Sequence, residues 1–234
     1  MFSRTLIISP HCDDETIGCG GLISSLSNKG YEVKILIVAT HKNTFNYSVN
    51  RVVSNGERIF ETERALKMLG LDYDDPYDRP IYQLNGFEDG RLDMCSKKDL
   101  ISAIDEHVRE FRPTAVLFPY SSHHQDHQAV YQASIAALRP TVDTNYIRIK
   151  AAYEYPYITT SWNSNMRSDS KIYYPLTKED IERKRLALQE YKTQLVRDPR
   201  DILDISSILN LARVRGTEIG YEYAEAFYPI SIII

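Results

Sequence analysis

TLIISPHCDDETIGCGGLISSLSNKGYEVKILIVAT, residues 5–40, decides the fold. Residues 5–9 and 33–40 are β-branched and apolar, and each run is followed by polar or glycine-containing punctuation, so both read as buried strands. Residues 19–29 end in Lys29-Gly30, a helix C-terminal signal. The unit is therefore strand, helix, strand, with a right-handed crossover expected, and it opens a parallel α/β sheet.

Working outward, residues 51–69 carry Ile59, Leu66 and Leu69 near helical spacing with charges between them, and Gly70 closes the run. The pattern predicts one long amphipathic helix. Residues 72–80, rich in Asp, Pro and Tyr, read as loop, and 81–84 as a short strand. Residues 97–111 are helical by pattern, with Ser96 as N-cap and Pro113 just beyond the end. A third strong strand is expected over 114–119 and a helix over 127–138, stopped by Pro140. Later strands are expected at 149–155 and 172–175, flanking a Ser/Asn-rich loop at 159–170. Helices over 177–195 and 202–213 close the chain. Neither repeat nor low-complexity linker interrupts residues 1–234, which favours one domain.

Composition narrows the function classes. The 234 residues are 43% hydrophobic and 26% charged, with Lys+Arg 28 against Asp+Glu 32, an ordinary globular balance. A net charge of -4 without a Lys/Arg block argues against a nucleic-acid surface or a charged membrane anchor. The apolar runs fall far short of the roughly 20 residues of a spanning helix, and the N-terminus lacks the apolar stretch of a secretory signal. Three cysteines, Cys12, Cys19 and Cys95, form no Cys-x-x-Cys pair, so a reducing, cytoplasmic setting is expected.

The chemistry-bearing residues sit after strands. Pro10-His11-Cys12-Asp13-Asp14-Glu15 follows the first, and His123-His124-Gln125-Asp126-His127 follows the strand at 114–119. Ligand sites of open parallel sheets gather beyond the strands' carboxyl ends, so both clusters are expected on one rim. An imidazole and a carboxylate three residues apart, His11 and Asp14, can converge on one ion, and His127 would complete a two-His, one-carboxylate set with a position left for water or substrate. Adjacent side chains in a turn point apart, so of two neighbouring aspartates one can bind the metal while the other faces a metal-bound water. His124 stays free for proton transfer or oxyanion stabilisation, with Asp126 able to fix its tautomer. Glu15 reads either as a site residue or, equally, as a helix N-terminal carboxylate favoured by the macrodipole. His41 and His107 have no such company and read as structural or surface residues. The glycines of Gly18-Cys19-Gly20-Gly21 misplace the third glycine of a dinucleotide fingerprint, and the second strand ends in Ala39-Thr40 without the ribose-binding acid. They are expected to let the chain turn tightly and the helix pack closely. The cysteine spacing matches no zinc knuckle.

These residues resemble the LmbE-like, or PIG-L, family of zinc-dependent N-deacetylases. Its first motif, Pro-His-Pro-Asp-Asp-Glu, is matched by Pro10 to Glu15 with Cys12 in place of the proline; its second, His-x-Asp-His, by His124 to His127. Arg58-x-x-Glu61 with Leu69-Gly70, Tyr191-Lys192-Thr193-Gln194, and Arg215-Gly216 followed by Tyr223 to Phe227 resemble further family segments, so the likeness spans nearly the whole chain. It implies an α/β fold, a Rossmann-like three-layer sandwich with a mostly parallel central sheet. It implies Zn2+, or another divalent metal, on His11, Asp14 and His127, with Asp13 as general base. His124 would act on the tetrahedral centre, oriented by Asp126, and Arg58 would touch substrate unless it pairs with Glu61.

The implied reaction is removal of the acetyl group from an N-acetylated amino sugar of the GlcNAc type or its conjugate, giving acetate and a free amine. The alternatives left open are a metal-dependent amidase on a thiol conjugate or glycopeptide, and a non-catalytic metal-binding module of the same fold. A homo-oligomer is allowed. The run from Tyr153 to Tyr157 with Trp162 reads either as a sugar-stacking wall or as core aromatics.

Overall fold

The structure, a computed structural model, describes residues 1–40, 44–46, 49–71, 81–156, 170–195 and 198–234. Strand β1 (Arg4–Ser9) leads through the loop 10–13 into α1 (Asp14–Asn28) and β2 (Glu32–Ile37). β1 pairs in parallel with β2, Ile7 opposite Ile35, and on its other side with β6 (Ala115–Pro119), Ile7 opposite Leu117. β2 continues in parallel to β5 (Ile81–Gln83), and β6 to β7 (Ile149–Tyr153). The seven-stranded sheet has the order β5-β2-β1-β6-β7-β9-β8, in which β9 (Tyr223–Ile232) runs antiparallel to both β7 and the edge strand β8 (Ile172–Leu176). The fold is thus the mostly parallel, Rossmann-like α/β sandwich expected.

Strand alternation sorts the core into two layers. Ile7, Ile35, Leu117 and Ala151 face α1, α2 (Asn55–Met68), α5 (Lys178–Glu190) and α6 (Ile205–Thr217). Leu6, Ile8, Leu36, Val116 and Phe118 face α3 (Lys97–Phe111) and α4 (Gln125–Ala137). Because the chain leaves β1 toward β2 and later returns on the opposite side as β6, the carboxyl ends of β1 and β6 form the topological switch point.

Several expected boundaries move, each for a local reason. α1 starts at Asp14, not at residue 19: Thr16 N and Ile17 N already donate to Asp13 O. The glycines therefore lie inside the helix instead of in a turn. Close approach explains them: a Cβ on Gly18 would stand 2.3 Å from the Tyr153 ring, and one on Gly21 2.4 Å from Leu176. The helix expected over 51–69 starts at Asn55, because Ser54 caps it by accepting from Glu57 N; residues 51–53 are β4 (Arg51–Val53), paired antiparallel with β3 (Thr44–Asn46). α4 begins two residues early, at Gln125, with the His124 side chain as its cap. α5 ends at Glu190, five residues short, and α6 is shifted to Ile205–Thr217. β9 is absent from the sequence reading. The loops expected at 72–80 and most of 159–170 lie outside the described residues, as do Tyr157, Trp162 and His41. No helix among the described residues is long and apolar enough to cross a membrane.

Candidate metal-centred active site

The loop after β1 is tied down from its first residue. Ser9 Oγ lies 2.7 Å from His11 O and accepts the Glu15 N–H at 3.1 Å; His11 N donates to Asp14 Oδ2 at 3.0 Å. His11 Nδ1 stands 3.1 Å from Asp14 Oδ2, and His127 Nε2, from the first turn of α4, reaches the same oxygen at 3.4 Å. One donor atom each from His11, Asp14 and His127 lies within 4.8 Å of the other two, close enough to share a cation. A buried orphan oxygen, Asp14 Oδ1, and a buried orphan nitrogen, His127 Nδ1, find no partner among the described residues. Such groups are costly to leave unpaired, and a cation seated among these donors would engage the free oxygen of Asp14. The donor chemistry, two imidazoles and one carboxylate, suits zinc and its neighbours in the transition series.

A second triplet, His11, His124 and Asp126, also falls within 4.8 Å. Its carboxylate is already engaged: Asp126 Oδ2 accepts Gly90 N at 2.7 Å and lies 2.9 Å from His11 Nε2, while Oδ1 accepts Leu92 N at 2.9 Å. With Nδ1 of His11 turned to Asp14 and Nε2 to Asp126, the Asp126 carboxylate fixes the imidazole's orientation and tautomer, as a carboxylate does behind a histidine that ligates a metal, and would leave Nδ1 for an ion shared with Asp14. The Asp126 carboxylate thus sits on His11. What reaches His124 is the backbone N–H of Asp126, donated to His124 Nδ1 at 3.3 Å. That bond leaves the proton of neutral His124 on Nε2.

Electrostatics match this geometry. Burial alone would lower the His11 pKa, but the Asp89, Asp126 and Asp14 carboxylates override it and raise it. Burial would raise Asp14, yet His127 and His11 hold it well below the usual carboxylate range. Asp13 goes the other way: burial first, then the Asp14 and Glu15 carboxylates, push it up. Burial and the neighbouring His11 and His127 push His124 down to about 4. Two adjacent aspartates are driven apart by their surroundings, the pattern of a ligand beside a base. Asp13 makes no side-chain cap bond to α1, so its carboxylate is not spent on the helix.

Arg58 does not pair with Glu61. Its Nη1 donates to Asp89 Oδ2 at 2.6 Å and its Nε to Gln194 Oε1 at 3.1 Å, while Glu61 accepts the Thr193 N–H at 3.0 Å and hydroxyl at 2.8 Å. Asp89, whose Oδ1 lies 3.3 Å from His11 Nε2, escaped the sequence reading. The only local signal was the Asp89-Gly90 pair, and Gly90 adopts φ 76°, which lets the turn aim its N–H at Asp126. Tyr153 is core: fully buried, with its hydroxyl donating to Ile8 O at 3.2 Å. Tyr155 does reach the site, its ring edge-on to His127 at 4.7 Å between centroids.

The GlcNAc-PI de-N-acetylase model of the PIG-L family matches residues 6–138, more than half the chain and both site clusters. The chain belongs to the PIG-L family. The uncharacterized deacetylase YaiS of Escherichia coli (strain K12) is 34% identical over 140 residues, covering 57% of this chain and 67% of YaiS. The conserved protein TT1542 from Thermus thermophilus superposes with a TM-score of 0.73 at 21% identity, covering 100% of this chain and 97% of that one. N,N'-diacetylchitobiose deacetylase from Pyrococcus horikoshii superposes with a TM-score of 0.66 at 20% identity, covering 97% and 84%. At these identities the structural likeness establishes the PIG-L fold alone.

Proposed function

We propose that this PIG-L chain is a zinc-dependent N-deacetylase of GlcNAc-type amino sugars or their conjugates, releasing acetate and a free amine. The observation that carries this reading is the convergence of His11, Asp14 and His127 on one centre, with Asp13 beside it and unspent. The YaiS and chitobiose deacetylase relatives support the acetamide class. A divalent ion on the three ligands would supply Lewis acidity toward the carbonyl oxygen and would acidify water.

The chain's own residues supply the proton chemistry. Asp13, with its raised pKa, removes the proton of the attacking water. His124 is neutral near pH 7, because its pKa lies about 4, and it donates from Nε2 to the developing oxyanion. A neutral imidazole with so low a pKa is a poor proton reservoir. The proton taken by Asp13 is therefore the one delivered to the leaving nitrogen as the carbon–nitrogen bond breaks, and the carboxylate is restored. Arg58, tethered by Asp89 and Gln194, presents its remaining guanidinium edge to the sugar.

Acetate release from N-acetylglucosamine and its conjugates tests the reading. Wild-type protein loaded with zinc should release acetate, and Asp13→Asn should keep the metal while losing at least about 10²-fold in kcat. Wild-type turnover in Asp13→Asn would remove the base assignment. No acetate from any N-acetyl sugar, with the metal bound, would remove the substrate class.

A further inference from the structure

Asp13 is a non-glycine residue at φ 133°, ψ -30°, a conformation that L side chains rarely adopt and that persists only where the surroundings impose it. Its backbone is held at both ends. The C=O accepts from Thr16 N at 3.0 Å and Ile17 N at 2.9 Å, and the N–H donates to Glu15 Oε2 at 3.2 Å.

Glu15 is fully buried, unlike a carboxylate that merely answers a helix dipole from solvent. Its Oε2 also lies 3.0 Å from Ser9 Oγ; its Oε1 accepts the Thr16 hydroxyl at 3.0 Å and the Tyr191 hydroxyl. Tyr191, itself fully buried, opens the turn in which Thr193 binds Glu61 and Gln194 takes the Arg58 Nε. One turn after α5 thus reaches both the Asp13 loop and the Arg58–Asp89 pair.

We infer that Glu15, fixed by Tyr191, is a positioning residue that holds the Asp13 backbone in its left-handed conformation and so aims the Asp13 carboxylate at the reacting water. This rests on Asp13 being the base. Removing the carboxylate's acceptor from the Asp13 N–H lets the loop relax toward an ordinary φ, and the base leaves its line without any change in the ligands.

The test has one arm that needs no turnover. Glu15→Gln places an amide N–H2 against either the Asp13 N–H or the Tyr191 hydroxyl. Its effect on urea unfolding is measured in the Asp13 protein and in Asp13→Gly, where a positive φ is free of strain. The expected result is a smaller loss of midpoint in the first background, where relaxation of the Asp13 φ returns the stored strain and offsets part of the lost hydrogen bond, and a larger loss in the second, where there is no strain to return. Equal losses in both overturn the proposal, whatever the enzyme's substrate. In the second arm, zinc-loaded Glu15→Gln and Tyr191→Phe are assayed for acetate release. Up to about 10²-fold is expected to go from kcat, with KM and metal content kept, since a misplaced base acts on the chemical step. A loss confined to KM, or an unchanged kcat in both variants, overturns it. Tyr191→Phe deletes one hydroxyl and covers the case in which Glu15→Gln fails to fold. Should Asp13→Asn turn over like wild type, the base reading fails by its own variant, and the stability arm still judges the backbone claim.

Discussion

Replacing Gly18 by alanine should destabilise the protein, although alanine is the better helix former. The added Cβ would stand 2.3 Å from Cδ2 of Tyr153 and 2.9 Å from its Cγ and Cε2. The ring cannot step aside, because Tyr153 is fully buried and its hydroxyl is bonded to Ile8 O. α1 cannot recede easily either, since Glu225 accepts from Gly21 N and Leu22 N at 2.8 Å and Lys184 Nζ binds Ile17 O at 2.7 Å. Overpacking of this kind costs up to about 3 kcal/mol, and the gain in helix propensity returns about 1 kcal/mol, for a net loss of about 2 kcal/mol. At roughly 2–4 °C per kcal/mol for a chain of this size, the melting temperature should fall by about 4–8 °C. Gly56, inside α2 with nothing within 4 Å of its added Cβ, is the control. The same substitution there should stabilise by about 0.4–1 kcal/mol. Thermal unfolding of the two variants reads the difference, and metal affinity should fall with Gly18→Ala because Asp14 lies one turn away on the same helix. A Gly18→Ala protein as stable as Gly56→Ala would refute the close-packing argument.

The remaining predictions concern other parts of the site. Burial pushes the Cys12 thiol up to about 12, so at pH 8 only about one molecule in 10⁴ carries a thiolate, and iodoacetamide should leave Cys12 unmodified until the protein unfolds. Because the folded thiol holds its proton more tightly than the unfolded one, stability should fall as pH rises above about 9; Cys12→Ala should remove about 2 kcal/mol of the loss between pH 8 and pH 10.5, measured by urea unfolding. Arg58→Lys should cost about 1–3 kcal/mol in the same assay, since an ammonium cannot reproduce the fork that joins Asp89 and Gln194; an unchanged midpoint would show that the pairing is idle.

The parallel core was legible because β1, β2 and β6 are buried on both faces and read as continuous apolar runs. β9 was not, since its Ala224, Glu225 and Ala226 lack the β-branched signature; all three are nevertheless buried, with Glu225 turned into α1. The cluster of His11, Asp14 and His127 was legible because His11 and Asp14 share one loop and His127 follows another strand end, so topology alone joins them. Asp89 lies outside every motif, and Glu15 and Tyr191, each within one, meet only across the fold: His11 contacts Asp89, and Glu15 accepts from Tyr191. No local pattern announces such pairs. Arg58 came with the family resemblance, and of its two readings the pairing with Glu61 does not form, because a helical i,i+3 acid competes poorly with an aspartate reaching in from a separate loop beside a buried guanidinium.

The direct test is a crystal soaked in zinc and measured at the zinc absorption edge. The account predicts a single ion bonded by His11 Nδ1, Asp14 and His127, with the Asp126 carboxylate still on His11 Nε2. An ion held instead by His11, His124 and Asp126, or no ion near His11, would contradict it.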